Sequence, residues 1–212
     1  MGIKVRCFLV GILGLIQLGG TRLIQDVRPR TDIATSITQQ SRITLRSYSV
    51  KLAPQYAKTL RFNIYSFNVT ASDSGRVREM IIKAYRGELL LTNFRLRVDG
   101  AVVGAEVADL DNNRFPELYV YTTSDGSGSF GNVYAWQFLP ERKADIGLSN
   151  WRITPAEGYM GHDSLWVERD ILCRKYPIYL SGDSNAEPSG GYQMVRYHLK
   201  PAGATGYTLI TE

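Results

Sequence analysis

The sequence predicts an all-β protein: a single antiparallel β-sandwich domain preceded by a signal peptide and a basic linker. Three observations carry this. Apolar residues recur with period two in many short runs, turn residues separate those runs, and no long amphipathic helical pattern competes with them. Short strands divided by turns are the pattern of an antiparallel sandwich or barrel.

Lys4 and Arg6 precede the apolar segment Cys7-Phe-Leu-Val-Gly-Ile-Leu-Gly-Leu-Ile-Gln-Leu-Gly-Gly20, so residues 1–23 read as a secretory signal peptide. The segment falls short of the roughly 20 apolar residues that span a bilayer, so no membrane span is expected in the mature chain. The expected location is periplasmic or secreted. Residues 24–57 are rich in Thr, Ser, Gln and Arg without an apolar period, and read as a basic polar linker. The sandwich domain is then 58–212. With Cys7 lost in the signal, Cys173 is the one remaining cysteine, which excludes an internal disulfide and makes a buried, inert thiol the expected state.

The formal charge is +5, yet its distribution speaks against nucleic acid. Lys4, Arg6 and Arg22 lie in the signal region, and between residues 24 and 58 Arg28, Arg30, Arg42, Arg46, Lys51 and Lys58 outweigh Asp26 and Asp32. The body from Thr59 is left at about −2, a balance that suits a basic protein partner better than a polyanion.

The first strand is expected over 59–65, where Leu60, Phe62 and Ile64 face one way. Further strands are expected over 77–84, 88–98, 101–108, 117–123, 132–138, 164–169, 171–180 and 207–211, and Val195, Tyr197 and Leu199 alternate with polar neighbours. Asp99-Gly100 predicts a hairpin turn between two of them.

Between 117–123 and 132–138 runs a loop of small residues, Ser124-Asp-Gly-Ser-Gly-Ser-Phe130. Glycines let its backbone approach a partner closely, Phe130 offers an apolar plug, and Ser127 and Ser129 offer hydroxyls. A second candidate loop, Glu157-Gly-Tyr-Met-Gly-His-Asp163, carries an aromatic and an imidazole just before a strand. A hydrolase would use Ser127 or Ser129, His162 and Asp163 or Asp125. The Ser-Gly loop is not the Gly-x-Ser-x-Gly elbow, however, and the chain reads as a binder rather than an enzyme.

Asp109, Asp111, Asn113 and Glu117 place oxygens at the first, third, fifth and ninth positions of a loop, which is how a calcium loop begins. Arg114 stands where an EF-hand has glycine. A structural turn built on Asx hydrogen bonds is the competing reading. With two histidines in the chain, a zinc site lacks its usual ligands.

Five motifs in order resemble the bacterial periplasmic inhibitors of invertebrate-type lysozyme: Gly104-Ala-Glu-Val-Ala-Asp-Leu110, Pro116-Glu-Leu-Tyr-Val-Tyr121, Gly126-Ser-Gly-Ser-Phe-Gly131, Gly158-Tyr-Met-Gly-His-Asp163 and Gly182-Asp-Ser-Asn-Ala-Glu-Pro-Ser-Gly-Gly191. The resemblance covers the chain from about Tyr56 onward. It implies an exported sandwich that blocks lysozyme by inserting the loop at Ser127, Gly128, Ser129 and Phe130 into the catalytic cleft, with Tyr159 and His162 as a second contact surface. The implied partner is lysozyme, no cofactor is required, and a homodimer is compatible with it. The alternative is a calcium-supported binding or adhesion module of the envelope, organised by Asp109, Asp111, Asn113 and Glu117.

Overall fold

Period-two patterning becomes twelve strands and no helix in the computed structural model, which describes residues 56–72, 77–148, 157–204 and 206–211. The signal peptide and nearly all of the linker lie outside the described residues; Tyr56 and Ala57, at the linker's end, already belong to the first strand. Among the described residues no helix is long and apolar enough to cross a membrane.

The strands are β1 Tyr56–Phe62, β2 Tyr65–Ala71, β3 Val77–Arg86, β4 Leu89–Asp99, β5 Ala101–Ala108, β6 Glu117–Thr123, β7 Gly131–Phe138, β8 Lys143–Gly147, β9 Ser164–Glu168, β10 Ile171–Pro177, β11 Tyr192–Ala202 and β12 Gly206–Thr211. The first four form an antiparallel meander in the order β1-β2-β3-β4. The other eight form one sheet, β5-β6-β7-β8-β12-β11-β10-β9, in which only the two-residue pairing of β8 with β12 is parallel. The architecture is therefore all-β and sandwich-like.

Two cores hold it together. Phe67, Val69, Met80 and Ile82 of the meander pack against Leu118, Val120, Trp136 and Phe138 of the large sheet. On the opposite face of β6 and β7, Tyr119, Tyr121, Val133 and Ala135 pack against Leu172, Tyr197, Leu199 and Leu209. The large sheet thus folds over on itself, and β6 and β7 form a middle layer covered on both sides. Six of the seven residues of β6 are buried, which is why it reads as a continuous apolar run rather than an alternation. Burying each large apolar side chain contributes roughly 1.5–3 kcal/mol, so the middle layer is the most firmly held part of the domain.

Two local expectations are corrected. The strand expected over 59–65 ends at Phe62, because Asn63 turns into the left-handed region (φ 50°) and Ile64 is exposed at the tip of the β1–β2 hairpin. The second strand, β2, alternates buried and half-buried residues throughout. Asp99-Gly100 is not a hairpin turn, since β4 and β5 do not pair: it carries the chain from one sheet to the other. Gly100 (φ 79°) is needed there, because a Cβ would run into the Thr123 carbonyl.

Candidate functional site

The β6–β7 hairpin registers Thr123 opposite Gly131, and residues 124–130 leave its end as an exposed loop. The loop is braced at its base: Ser124 N–H donates to the Phe130 carbonyl at 2.9 Å, and Phe130 N–H donates to Ser124 Oγ at 3.0 Å. Asp125 pairs with Arg78 of β3 through both carboxylate oxygens, at 3.2 and 3.3 Å. Ser129 sits in the left-handed region (φ 44°), and its N–H donates to the Gly126 carbonyl at 3.3 Å. Strain of this kind persists where the surroundings over-determine the backbone.

The second predicted loop lies directly against the first. His162 N–H donates to the Gly128 carbonyl at 2.7 Å, and His162 is itself left-handed (φ 58°). The approach is close enough that a Cβ on Gly161 (φ 96°) would run into the Gly128 carbonyl. Gly161→Ala is therefore expected to cost about 2 kcal/mol or more, from left-handed strain plus the lost contact; urea unfolding measures it, and a change under 0.5 kcal/mol would contradict the clamp.

A third loop, between β10 and β11, closes the arrangement. Asn185 Nδ2 donates to the Ser127 carbonyl at 2.7 Å, and Asn185 Oδ1 lies 3.4 Å from His162 Nε2. This loop is held by Asp183, which accepts from the N–H groups of Leu180 and Ser189 and from the Ser189 hydroxyl. Those bonds keep the Asp183 carboxyl below its usual range, Ser189 N–H first among them. Tyr179 adds a bond from its hydroxyl to the Asn185 carbonyl at 3.0 Å.

Beneath the loops lies a buried ion pair. Asp163 Oδ1 accepts from Arg174 Nε at 2.6 Å, with the Asp163 side chain 0% and the Arg174 side chain 5% exposed. Asp163 Oδ2 accepts from Gly131 N–H at 2.7 Å and from the Tyr159 hydroxyl at 2.6 Å, and Arg174 also donates to Tyr159. Burial, then the bond to Asp163, raises the Tyr159 phenol well above its ordinary value, so it stays a donor at any working pH. The Tyr159 ring in turn meets Phe130 edge-to-face at 5.7 Å. The structure thus brings Ser127, Gly128, Ser129, Phe130, Tyr159 and His162 together at one end of the large sheet. Phe130 is exposed, as are Met160 and Leu180 in the other two loops, whereas Tyr159 is half-buried and packs its ring against Phe130.

Ser127 is exposed, and neither its hydroxyl nor the N–H groups of Ser127 and Gly128 bond within the described residues. The catalytic arrangement considered from sequence does not form a relay here: His162 Nε2 faces Asn185, and both oxygens of Asp163 are engaged elsewhere. Sequence reasoning missed Arg174 and Asn185. Arg174 was hidden in the apolar run of β10, where a buried cation demands a buried anion, and Asn185 in a turn-rich segment that reads as structural.

The acidic turn sits at the opposite end of β6. Asp109, Asp111 and Glu117 place one oxygen each within 4.8 Å of one another. Asp109 accepts from the N–H groups of Asn113 and Arg114, and Asp111 from Asn113. Arg114 adopts φ 72°, so the backbone takes the glycine-like conformation without the glycine. Glu117 is wholly buried, accepting from Leu110 N–H at 2.6 Å and Gln137 Nε2 at 2.9 Å. Asn113 Oδ1 is turned inward to Phe115 N–H. Cys173 is buried, as expected, and joins no disulfide among the described residues; its Sγ lies 4.0 Å from Glu168 Oε2. No protein-family model and no curated protein matches this chain.

Proposed function

We propose that the domain is an exported inhibitor that blocks the catalytic cleft of a lysozyme, of the invertebrate type, by inserting residues 124–130. The observation that carries this is the loop tip itself. Donors at Ser127 and Gly128 that are unengaged among the described residues stand beside an exposed Phe130 on a backbone fixed by two neighbouring loops. Glycosidases carry a pair of carboxylates at the scissile bond, and such donors suit them. Phe130 would fill a sugar subsite next to them. Because the loop is pre-ordered, little conformational entropy is lost on insertion. Held as it is by Asn185, His162 serves recognition better than proton transfer, which favours a binder over a hydrolase.

The test is inhibition of invertebrate-type, chicken-type and goose-type lysozymes by the purified protein and by a Ser127→Ala, Phe130→Ala double variant. Selective inhibition of the invertebrate type is expected, weakened about 30-fold or more in the variant with its circular dichroism unchanged. Inhibition of no class, or equal potency of the variant, would overturn the reading.

A further inference from the structure

The acidic turn has no part in the loop-insertion reading, and its surroundings lack positive charge. Among the described residues no lysine or arginine side chain forms an ion pair with Asp109, Asp111 or Glu117. A second observation comes from the middle layer. Gln137, wholly buried on β7 and paired in register with Glu117, pushes its amide against the cluster: Nε2 lies 3.1 Å from Asp111 Oδ2 and 2.9 Å from Glu117 Oε1. The Oε1 atom of that same amide is buried without a hydrogen-bond partner. Two residues along β6, on the same face as Glu117, the wholly buried Tyr119 hydroxyl is also unpartnered and feels the charges of Glu117, Asp111 and Asp109. Buried polar atoms left this way are costly and rare. Three carboxylates and two orphaned oxygens make a place rich in lone pairs and short of a cation.

We propose that this turn binds a calcium ion, with Asp109, Asp111 and Glu117 as ligands and the Gln137 amide, reversed about its terminal bond, offering Oε1 as a further oxygen. The donor set is all oxygen and holds no histidine or cysteine, which suits a hard cation and excludes the usual zinc chemistry. The irregular turn suits the flexible six- to eight-oxygen shell of calcium better than the strict octahedron of magnesium. An ion here joins the 109–117 turn to both strands of the middle layer. It would act on stability, at the end of β6 remote from the insertion loop, so the proposal stands or falls independently of lysozyme binding.

The full chain is melted in chelator, in 1 mM calcium chloride and in 1 mM magnesium chloride, beside an Asp109→Asn, Asp111→Asn variant. Calcium is expected to raise the Tm by about 5 °C or more, magnesium by much less, and the variant is expected not to respond. Equal melting in calcium and chelator would overturn the site, an equal rise with magnesium would overturn the assignment to calcium, and an equal rise in the variant would overturn the ligands. Should the variant fail to fold, terbium luminescence sensitised by the neighbouring tyrosine provides a second reading on the natural chain. One equivalent displaced by calcium supports the site, and no sensitised emission overturns it.

Discussion

Asp163→Ala is expected to destabilise the domain by about 3–5 kcal/mol, the usual cost of leaving one partner of a buried ion pair uncompensated. The Arg174 side chain is only 5% exposed, so water compensates its charge poorly once Asp163 is gone. The substitution also removes the acceptor for Gly131 N–H and for the Tyr159 hydroxyl, so the foot of the insertion loop and the support of Phe130 loosen together. For a domain of this size the loss corresponds to a fall in Tm of roughly 10 °C or more. Replacing both Asp163 and Arg174 with apolar residues of similar volume should recover much of the loss, because no charge is then stranded. Guanidinium unfolding of the two single variants and the double variant measures this, and a single-variant cost below 1 kcal/mol would contradict it. Ser127→Ala, by contrast, removes an exposed hydroxyl and should leave stability within about 0.5 kcal/mol.

In chelator, the domain should lose stability as pH rises from about 5 to 9. Burial is the main cause that pushes the Glu117 carboxyl from 4.5 up to about 8, helped by the charge of Asp111 and opposed by the Leu110 N–H bond. A carboxyl whose folded pKa exceeds its unfolded one holds its proton more tightly in the native state. Its contribution is complete below about 4.5 and is lost as pH climbs through about 8. Each unit of difference is worth about 1.4 kcal/mol, so the decline reaches a few kcal/mol. Glu117→Gln keeps the shape without the charge and should flatten the profile, and urea midpoints across pH read the difference. A variant that declines as steeply as the natural chain would show that the pH dependence lies elsewhere.

Local pattern made most of the strands legible. β5 and β6 begin and end where composition and turn residues place them, and β9, β10 and β12 differ by a few residues at their ends. β8 was not legible: five residues with only Ala144 and Ile146 buried owe their conformation to β7 and β12 rather than to their own pattern. β2 was hidden because Asn63 looks like the polar member of an alternation, and the left-handed turn that it makes is a matter of backbone rather than hydropathy. The Asp99-Gly100 turn was legible as a turn but not as a passage between sheets, which only the packing of Gly100 on Thr123 decides.

For the site, the chemistry of each loop was visible and their meeting was not. Residues 127–130, 159–162 and 185 are far apart in sequence, and the bonds that unite them run through backbone carbonyls of Ser127 and Gly128, which no side-chain pattern reveals. The buried pair of Asp163 and Arg174 is local, formed across the β9–β10 hairpin, but the hairpin register that brings the two together is not visible in the hydropathy pattern, and the pair also binds the Tyr159 hydroxyl.

The central claim is that the tip of loop 124–130 occupies the cleft where lysozyme holds its sugar. The most direct measurement is binding of this protein to invertebrate-type lysozyme across a series of chitooligosaccharide concentrations. Insertion predicts that the apparent Kd rises linearly with free oligosaccharide concentration, whereas tight binding that is indifferent to saturating oligosaccharide, or no binding at all, would contradict it.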